Sequence, residues 1–369
     1  MTALYIHIPF CSSVCAYCDF CAFPAPERLH SEYVDLVLQE IALVAEAHKD
    51  MCLQSLQTIY LGGGSPSVLS PENLRKLLAG LQSKGIINST AALQEFSMEW
   101  NPEDVNDEKI QLALDFGINR FSLGVQSLHN DLLKMLGRRH SAKSALEAFE
   151  KLNRAFKTGN ADLMFCIPSQ STESFLSDVK TFVGLEAKHI SFYGLTLEGK
   201  KKLPPQPEDL YPEMYLKATE ILQTAGLYRY EVSNFAIPSH QSRHNKVYWQ
   251  RLPYLGVGPS AHSYLNGIRS FVAGKYLPWK KWVLSGCTKD GLTLDIPSAE
   301  GREIEAVWLS LRTAEGLSIK GYEQEFGKKF DLGKAKPFIK KNWLTINGDY
   351  IRLNGEGWLW LDKFSTFLA

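Results

Sequence analysis

The stretch "YIHIPFCSSVCAYCDFCAF" (residues 5 to 23) decides the fold, because a short β-rich run is followed at once by four cysteines. The chain has seven cysteines among its 369 residues. An odd number argues against a disulfide framework, so the clustered thiols are better interpreted as metal ligands or redox groups. We expect the isolated Cys52 and Cys166 to be buried core thiols.

Composition excludes several classes of protein. Hydrophobic residues make up 45% and charged residues 22% of the chain, and 40 Lys and Arg balance 40 Asp and Glu. This balance removes the bulk-charge argument for a partner that is a nucleic acid or an anionic membrane. The first residues lack a signal-peptide pattern, and no window approaches the roughly 20 apolar residues of a membrane helix. We therefore predict a cytoplasmic protein that is not an integral membrane protein.

Outward from the opening stretch, short β-rich runs alternate with amphipathic helical segments. The strand candidates are residues 4 to 8, 58 to 64, 95 to 100, 120 to 126, 161 to 167 and 189 to 197. Alternation of this kind predicts an α/β fold with right-handed βαβ units and a parallel sheet. Six units are too few for a closed eight-stranded barrel, so we predict a partial (β/α)6 TIM-like barrel with its site at the carboxyl ends of the strands.

Polar and glycine motifs follow these strands. The cysteines follow the first strand, and "GGGSP" (residues 62 to 66) ends the second. Glu99 ends the third strand, Gln126 ends the fourth, and Asp162 opens the fifth. In the glycine run, missing side chains would let backbone N–H groups approach a bound polar group closely.

The pattern changes after about residue 200. Residues 199 to 214, "GKKKLPPQPEDLYPEM", indicate a loop that resumes helix at Tyr211. Further on, Asn347-Gly348 lies between two β-rich runs and predicts a tight hairpin. We predict a barrel domain over residues 1 to 285, and a small helical plus β-hairpin, winged-helix-like domain over residues 286 to 369. Its neutral charge favours a scaffolding role over DNA binding.

Cys11, Cys15 and Cys18 form a C-x3-C-x2-C pattern. Structural zinc usually takes a second pair of ligands 12 to 20 residues away, which this chain lacks, although four close cysteines could still wrap one zinc ion. An iron-sulfur cluster suits a compact thiolate loop better. Three ligands would leave one iron open to a substrate or cofactor.

The loop "CSSVCAYCDF" resembles that of the radical S-adenosylmethionine (radical SAM) family. The resemblance implies a 4Fe-4S cluster on the three cysteines, a unique iron chelated by SAM, and one-electron cleavage of SAM to an adenosyl radical. "GGGSP" is similar to the family's GGGTP segment, with Ser65 in the Thr place. The resemblance implies that the SAM-contacting residues are Tyr5, Gly63, Gly64, Ser65, Glu99, Gln126, Arg138 and Asp162.

Within this family the chain resembles the oxygen-independent coproporphyrinogen III oxidase-like group over nearly its whole length. Two members compete: the decarboxylating enzyme of haem synthesis, and a haem chaperone that binds haem and passes it to an acceptor protein. Both imply a reductant for the cluster. A zinc-stabilised binding module without SAM chemistry is a further alternative.

Two features favour the chaperone. The enzyme's fourth loop cysteine is replaced by Phe20, and Cys21 lies one position further on, where we expect a bystander. The segment from 244 to 249 matches the HNxxYW motif associated with the chaperone, which implies haem contacts from His244, Asn245, Tyr248 and Trp249. A neutral imidazole is a common haem ligand. His262 is a second candidate, whereas the "GKKK" run that could serve a tetracarboxylate substrate is better interpreted as a solvated loop.

Overall fold

The computed structural model describes residues 3–47, 53–87, 93–196, 203–204, 207–272 and 274–368. Cys52 and the whole "GKKK" run (residues 199 to 202) lie outside these ranges. In the described residues the strands are β1 (Ala3–Ile8), β2 (Thr58–Gly63), β3 (Glu95–Trp100), β4 (Arg120–Gln126), β5 (Thr158–Phe165), β6 (His189–Gly194), β7 (Tyr228–Glu231), β8 (Asn234–Ala236), β9 (Tyr254–Val257), β10 (His262–Leu265), β11 (Ile268–Phe271), β12 (Thr293–Asp295), β13 (Leu317–Ser318), β14 (Leu344–Asn347) and β15 (Tyr350–Leu353).

The helices connect these strands and cover the sheet. They are α1 (Glu27–Ala47), α2 (Pro71–Ser83), α3 (Asp107–Asp115), α4 (Asn130–Leu136), α5 (Ala142–Ala155), α6 (Thr172–Gly184), α7 (Tyr211–Thr224), α8 (Arg243–Trp249), α9 (Tyr276–Leu284), α10 (Ala299–Leu311), α11 (Ile319–Phe326), α12 (Leu332–Lys340) and α13 (Leu361–Leu368). None of the helices described here combines the length and the apolar character that a membrane-spanning segment requires.

The six predicted strands form the parallel centre of a large sheet. Neighbouring strands pair in the order β1-β2-β3-β4-β5-β6, all parallel. This confirms the α/β class and the parallel arrangement of the six predicted strands. Along β1 the residues Ile6 and Ile8 are fully buried in the hydrophobic core, whereas Tyr5 and His7 point to the other face, where their side chains bond each other.

The start of β5 differs from the prediction. β5 begins at Thr158, three residues before the predicted start, because Gly159 and Asn160 are buried and pair with β4. Asp162 therefore lies in the middle of this strand and does not open it. The sequence did not predict this start because Thr158, Gly159 and Asn160 are small or polar residues, which are typical of a loop.

The sheet extends beyond the predicted six strands. β8 pairs antiparallel with β6, and β9 pairs parallel with β1 on the opposite side. β7 pairs antiparallel with β8, and the hairpin of β10 and β11, followed by β12, lengthens the other side, so that the sheet has twelve strands. The aromatic-rich sequence from 228 to 275 does not show alternation over enough residues to reveal these short strands.

The C-terminal region contains the predicted hairpin. β14 and β15 are antiparallel, with Asn347 opposite Tyr350, and Gly348 holds a φ of 60° in the turn. A short strand, β13, adds to this hairpin, and α10 packs against α13. The winged-helix-like arrangement of helices and hairpin is present. The domain boundary at 285 stays a prediction, as nothing in the structure tests it.

Candidate functional site

A cavity of about 420 Å³ opens at the carboxyl ends of the parallel strands. The structure brings most of the candidate residues of the sequence to its wall. They are Cys11, Cys15, Cys18, Gly63, Gly64, Ser65, Glu99, Gln126, Arg138, Asp162 and Asn245. Tyr5, His244, Tyr248 and Trp249 are absent from this wall among the described residues.

The cluster loop, residues 9 to 23, is closed by backbone hydrogen bonds at its base. The N–H of Cys11 donates to the carbonyl of Phe23 at 3.2 Å, and the N–H of Phe23 donates to Pro9 at 3.0 Å. The ring of His7 adds a third tie, because its Nε2 bonds the carbonyl of Cys21 at 2.9 Å. Sequence reasoning missed His7, although its alternation with Ile6 and Ile8 placed it on the inner face.

The four thiols of the loop differ in their surroundings. Cys11, Cys15 and Cys18 line the cavity, and Cys21 does not, as far as the described residues show. Burial, with the charges of Cys18 and Cys15, raises the pKa of the Cys11 thiol to about 11. Three adjacent thiolates therefore need a positive counter-charge, which iron provides. Among the described residues no three Cys, His, Asp or Glu side chains converge on a point that would hold a single ion.

The backbone N–H groups of the glycine run bond within the protein, and the SAM contacts implied for Gly63, Gly64 and Ser65 stay a prediction. The N–H groups of Gly64 and Ser65 donate to Ile8 and Phe10, and that of Gly63 donates to Glu99, so none of these three groups is free for a ligand. A Cβ on Gly64 would lie 2.4 Å from the carbonyl oxygen of Phe10. The glycines are required because β2 and the start of the cluster loop approach each other closely.

Ser65 is buried, and its hydroxyl is engaged within the protein. Its Oγ lies 2.8 Å from the Oγ of Ser67, which donates in turn to Asp104 at 2.8 Å. Keeping a hydroxyl at the family's Thr position therefore preserves a buried hydrogen-bond chain behind the cavity wall.

Glu99 is a half-buried carboxylate at the cavity wall. It accepts hydrogen bonds from the hydroxyl of Tyr60 at 2.9 Å and from the N–H of Gly63 at 3.1 Å. Burial raises the pKa of Glu99 to about 7, while these two hydrogen bonds act to lower it. A carboxylate in this state can accept from an ammonium or a ribose hydroxyl of a ligand.

Arg138 links the cluster loop to the ends of β3 and β4. Its guanidinium donates to the carbonyl of Gly124 at 2.7 Å and to Asn101 at 2.9 Å, and lies 3.7 Å from the Sγ of Cys15. Its Nε is buried and has no partner in the described protein. The adjacent Gly137 lets the loop approach, since the N–H of Ala16 bonds the preceding residue's carbonyl at 3.0 Å. Asn101 was missed, although it lies two residues after Glu99 in "EWNP".

Gln126 and Asp162 lie on neighbouring strands. Gln126 holds a φ of 68° at a bulge between β4 and β5, a strained geometry that re-aims a side chain at the end of a strand. Asp162 accepts from Ser122 at 2.7 Å and from Asn160 at 2.8 Å, and its burial raises its pKa. Tyr5 lies beside this wall and bonds the Nδ1 of His7 at 3.0 Å.

These observations fit a 4Fe-4S cluster and SAM. The wall combines three half-buried thiols, a half-buried carboxylate with spare acceptor capacity, and an arginine with an orphaned buried N–H. A thiolate set suits iron, and the carboxylate and guanidinium suit the ammonium and carboxylate of an amino acid.

The HNxxYW motif lies at the other end of the sheet. His244 is fully buried on α8, where its Nδ1 bonds Thr58 at 2.9 Å and its Nε2 bonds Tyr248 at 2.8 Å. Burial lowers the pKa of His244 to about 3. Thr58 is the first residue of β2, so this imidazole supports the base of the barrel. Both ring nitrogens have partners, which argues against the haem contact expected of His244.

The other motif residues have separate further contacts. Asn245 reaches the cavity wall, Tyr248 packs edge-on against Tyr254 at 4.7 Å, and Trp249 lies under the guanidinium of Arg312 at 4.4 Å. The motif therefore contacts both the barrel and the C-terminal region, and haem contacts from Asn245, Tyr248 and Trp249 stay a prediction. The predicted core thiol Cys166 is buried, as expected.

Comparisons with known proteins agree with this architecture. Residues 5–182 match the Radical SAM superfamily, and residues 303–360 match the HemN C-terminal domain. The chain is 34% identical to the protein named heme chaperone HemW of Lactococcus lactis, over 89% of this chain and 86% of that one. It is 33% identical to that of Bacillus subtilis, over 90% and 88% of the two chains.

A solved structure shows the same fold. The coproporphyrinogen III oxidase HemN from Escherichia coli, described as a radical SAM enzyme, superposes with a TM-score of 0.83 over 100% of this chain and 90% of that one. The sequence identity is 19%, so this similarity concerns the fold alone. With its cluster loop, its barrel and the extent of its similarity to these relatives, the chain belongs to the radical SAM superfamily and, within it, to the HemW family.

Proposed function

We propose that this protein is a haem chaperone that carries a 4Fe-4S cluster on Cys11, Cys15 and Cys18, binds SAM in the adjoining cavity, and transfers haem to an acceptor protein. The observation that carries the cofactor part is the shared wall of the cavity, where the three thiols face the polar side chains of successive strands. When bound, the cluster and SAM supply one-electron cleavage of a carbon-sulfur bond. The haem part is supported by the name and coverage of the relatives.

Each side chain has a defined task in this proposal. Glu99, with two donors and further acceptor capacity, receives the ammonium or a ribose hydroxyl of SAM. Arg138 holds the cluster loop near Cys15 and directs its orphaned Nε–H to a ligand acceptor. Gln126, Asp162 and Tyr5 complete the polar side of the site.

The cavity wall offers little to a substrate with four carboxylates. Its described cationic residues are Arg120, Arg138 and Arg139. Arg120 is buried and donates to the carbonyl of His240, and Arg138 is held by Gly124 and Asn101. One exposed arginine remains for several propionates, which favours the chaperone over the coproporphyrinogen III dehydrogenase.

Anaerobic reconstitution with iron and sulfide tests the cofactor part. We expect about four irons per chain, a SAM-dependent change in the spectrum of the reduced cluster, and loss of both in Cys15→Ala. Stoichiometric zinc together with full cluster uptake by Cys15→Ala would contradict the proposal and support a zinc-stabilised module.

A paired assay on the reconstituted protein tests the haem part. Haem titration is expected to shift the Soret band, while coproporphyrinogen III yields no product. Turnover to protoporphyrinogen IX would instead identify an active dehydrogenase. The cytoplasmic location, the reductant and the division at residue 285 belong to the same proposal, and limited proteolysis near residue 285 tests the division.

A further inference from the structure

The cavity is too small to hold the cluster, SAM and haem together. Its volume of about 420 Å³ lies in the lower part of the range for pockets that hold one drug-sized ligand, roughly 300 to 1,000 Å³. Cluster and SAM share this space in the proposal. A porphyrin, which is larger than SAM, therefore needs a surface outside the cavity.

The motif on α8 does not provide that surface. His244 is 1% exposed, and each of its ring nitrogens has a partner. The ring also stacks on Tyr60 at 5.1 Å. Coordination by His244 would break a hydrogen bond and require the removal of α8 from the base of β2.

His262 has the opposite surroundings. It is exposed on the first residue of β10, and the described residues give neither ring nitrogen a hydrogen-bond partner. Phe271, its cross-strand partner on β11, stacks on the imidazole at 4.4 Å with 23° between the rings. Such a stack fixes the ring plane in advance, so less conformational freedom is lost when a metal binds.

The topology places His262 at the cluster end of the sheet. β9 runs parallel to β1 and β10 runs antiparallel to β9, so β10 begins on the side of the sheet towards which β1 runs, with His262 opposite Gly256 and level with Tyr5. The close approach of Gly258 to the backbone of His7 places the preceding loop beside the base of the cluster loop. On the same face of β10 and β9 lie Tyr264 and Tyr254, aromatic rings of the kind that pack against a macrocycle.

The electrostatic setting leaves the imidazole neutral. Burial on one side lowers the pKa of His262, and Arg269 lowers it further while Asp295 raises it. A neutral imidazole has the lone pair that iron requires. The exposed Lys275 has no ion pair among the described residues. It follows Gly274, whose carbonyl accepts from Ser260 at 2.7 Å, two residues before His262.

We propose that His262 is the axial ligand to the iron of haem, that Phe271 orients its ring, and that Lys275 pairs with a propionate, while His244 is structural. This inference rests on the proposed haem chaperone function and names its ligand. Haem then lies on the outer part of the sheet beside the cluster end, accessible to an acceptor protein.

Haem titration of the full-length reconstituted protein tests this assignment. We expect His262→Ala to weaken haem binding by about tenfold or more and to remove the spectroscopic signature of imidazole ligation from the Soret region and electron paramagnetic resonance. Lys275→Ala should weaken binding less and leave that signature intact. His240→Ala, which removes another partly exposed imidazole, serves as the matched control and should bind as the wild type does.

The results distinguish a wrong ligand assignment from a wrong chaperone function. Unchanged affinity and signature in His262→Ala, with haem bound by the wild type, would overturn the ligand and leave the chaperone function standing. Absence of haem binding by the wild type would overturn the chaperone function itself. Cluster content and thermal melting check folding, and His262→Gln replaces His262→Ala if the alanine variant melts early. His244→Ala should melt earlier yet retain the imidazole signature, and loss of that signature in folded protein would contradict the assignment.

Discussion

Glu95 and Glu99 stand four residues apart on β3, on the same face of the strand, and serve opposite ends of the barrel. Glu95 accepts hydrogen bonds from Ser97, Ser242 and the N–H groups of Arg243 and His244. Its acceptor capacity is used to hold α8 in place. Glu99 has two donors, from Tyr60 and Gly63, and keeps capacity for a ligand.

The cluster loop and the HNxxYW helix, which both contain residue types that bind metals, differ in the same way. The cluster loop presents half-buried thiols to a cavity, whereas the imidazole of His244 on the HNxxYW helix has both nitrogens bonded within the protein. A residue type suited to binding therefore indicates a site only where its functional atoms are left without protein partners.

The largest expected effect comes from adding one methyl group at the cluster end. Gly64→Ala would place a Cβ 2.4 Å from the Phe10 carbonyl, and backbone at this position has little room to yield. We expect loss of most cluster incorporation, measured as iron per chain. Gly184→Ala, where nothing lies within 4 Å of the added carbon, is the matched control and should load normally. Normal iron content in Gly64→Ala would show that the close approach is dispensable.

Removal of the α8 anchor should affect stability more than cofactor binding. Glu95→Ala leaves the first N–H groups of α8 and the hydroxyls of Ser97 and Ser242 without their acceptor. We expect the free energy of unfolding in urea to fall by about 2 to 4 kcal/mol. Gln94→Ala, which removes one exposed contact to Arg243, should cost far less. Equal losses in the two variants would refute the anchoring role.

The Glu99 end should show a dependence on pH that a glutamine removes. Burial raises the pKa of Glu99 to about 7, above its ordinary value of 4.5, so the folded apoprotein holds a proton that the unfolded chain has released. Its contribution to stability therefore falls as pH rises from about 4.5 to 7, by on the order of 2 to 3 kcal/mol. As pH rises through this range, the unfolding free energy of the wild type should fall by more than that of Glu99→Gln, because glutamine does not titrate. A difference independent of pH would contradict the raised pKa.

The smallest effect is expected for the fourth thiol of the cluster loop. Cys21 does not line the described cavity, and only its backbone carbonyl bonds His7. Cys21→Ala should therefore keep the iron content and the cluster spectrum of the wild type. Loss of an iron in this variant would show that Cys21 is a cluster ligand, as Cys15 is proposed to be.

Local patterns predicted a large part of the molecule. The helix α2 begins at Pro71 after the N-cap Ser70, whose Oγ accepts from the N–H of Asn73, and a Ser-Pro pair is a sequence pattern typical of a helix start. The starts of β3, β4 and β6 also agree, because strand periodicity and capping depend on neighbours a few residues apart. Later strands such as β9 are too short for this kind of pattern.

The sequence by itself determined the cluster loop, the six parallel strands and the polar residues that end them, since each depends on spacing within a short segment. Only the tertiary structure decided the role of His244, whose partner Thr58 lies 186 positions away. The same holds for the glycine run, whose N–H groups are taken by the end of β1 and the start of the cluster loop and by Glu99. Whether a polar atom is free to bind depends on contacts between distant segments, and local sequence does not specify these contacts.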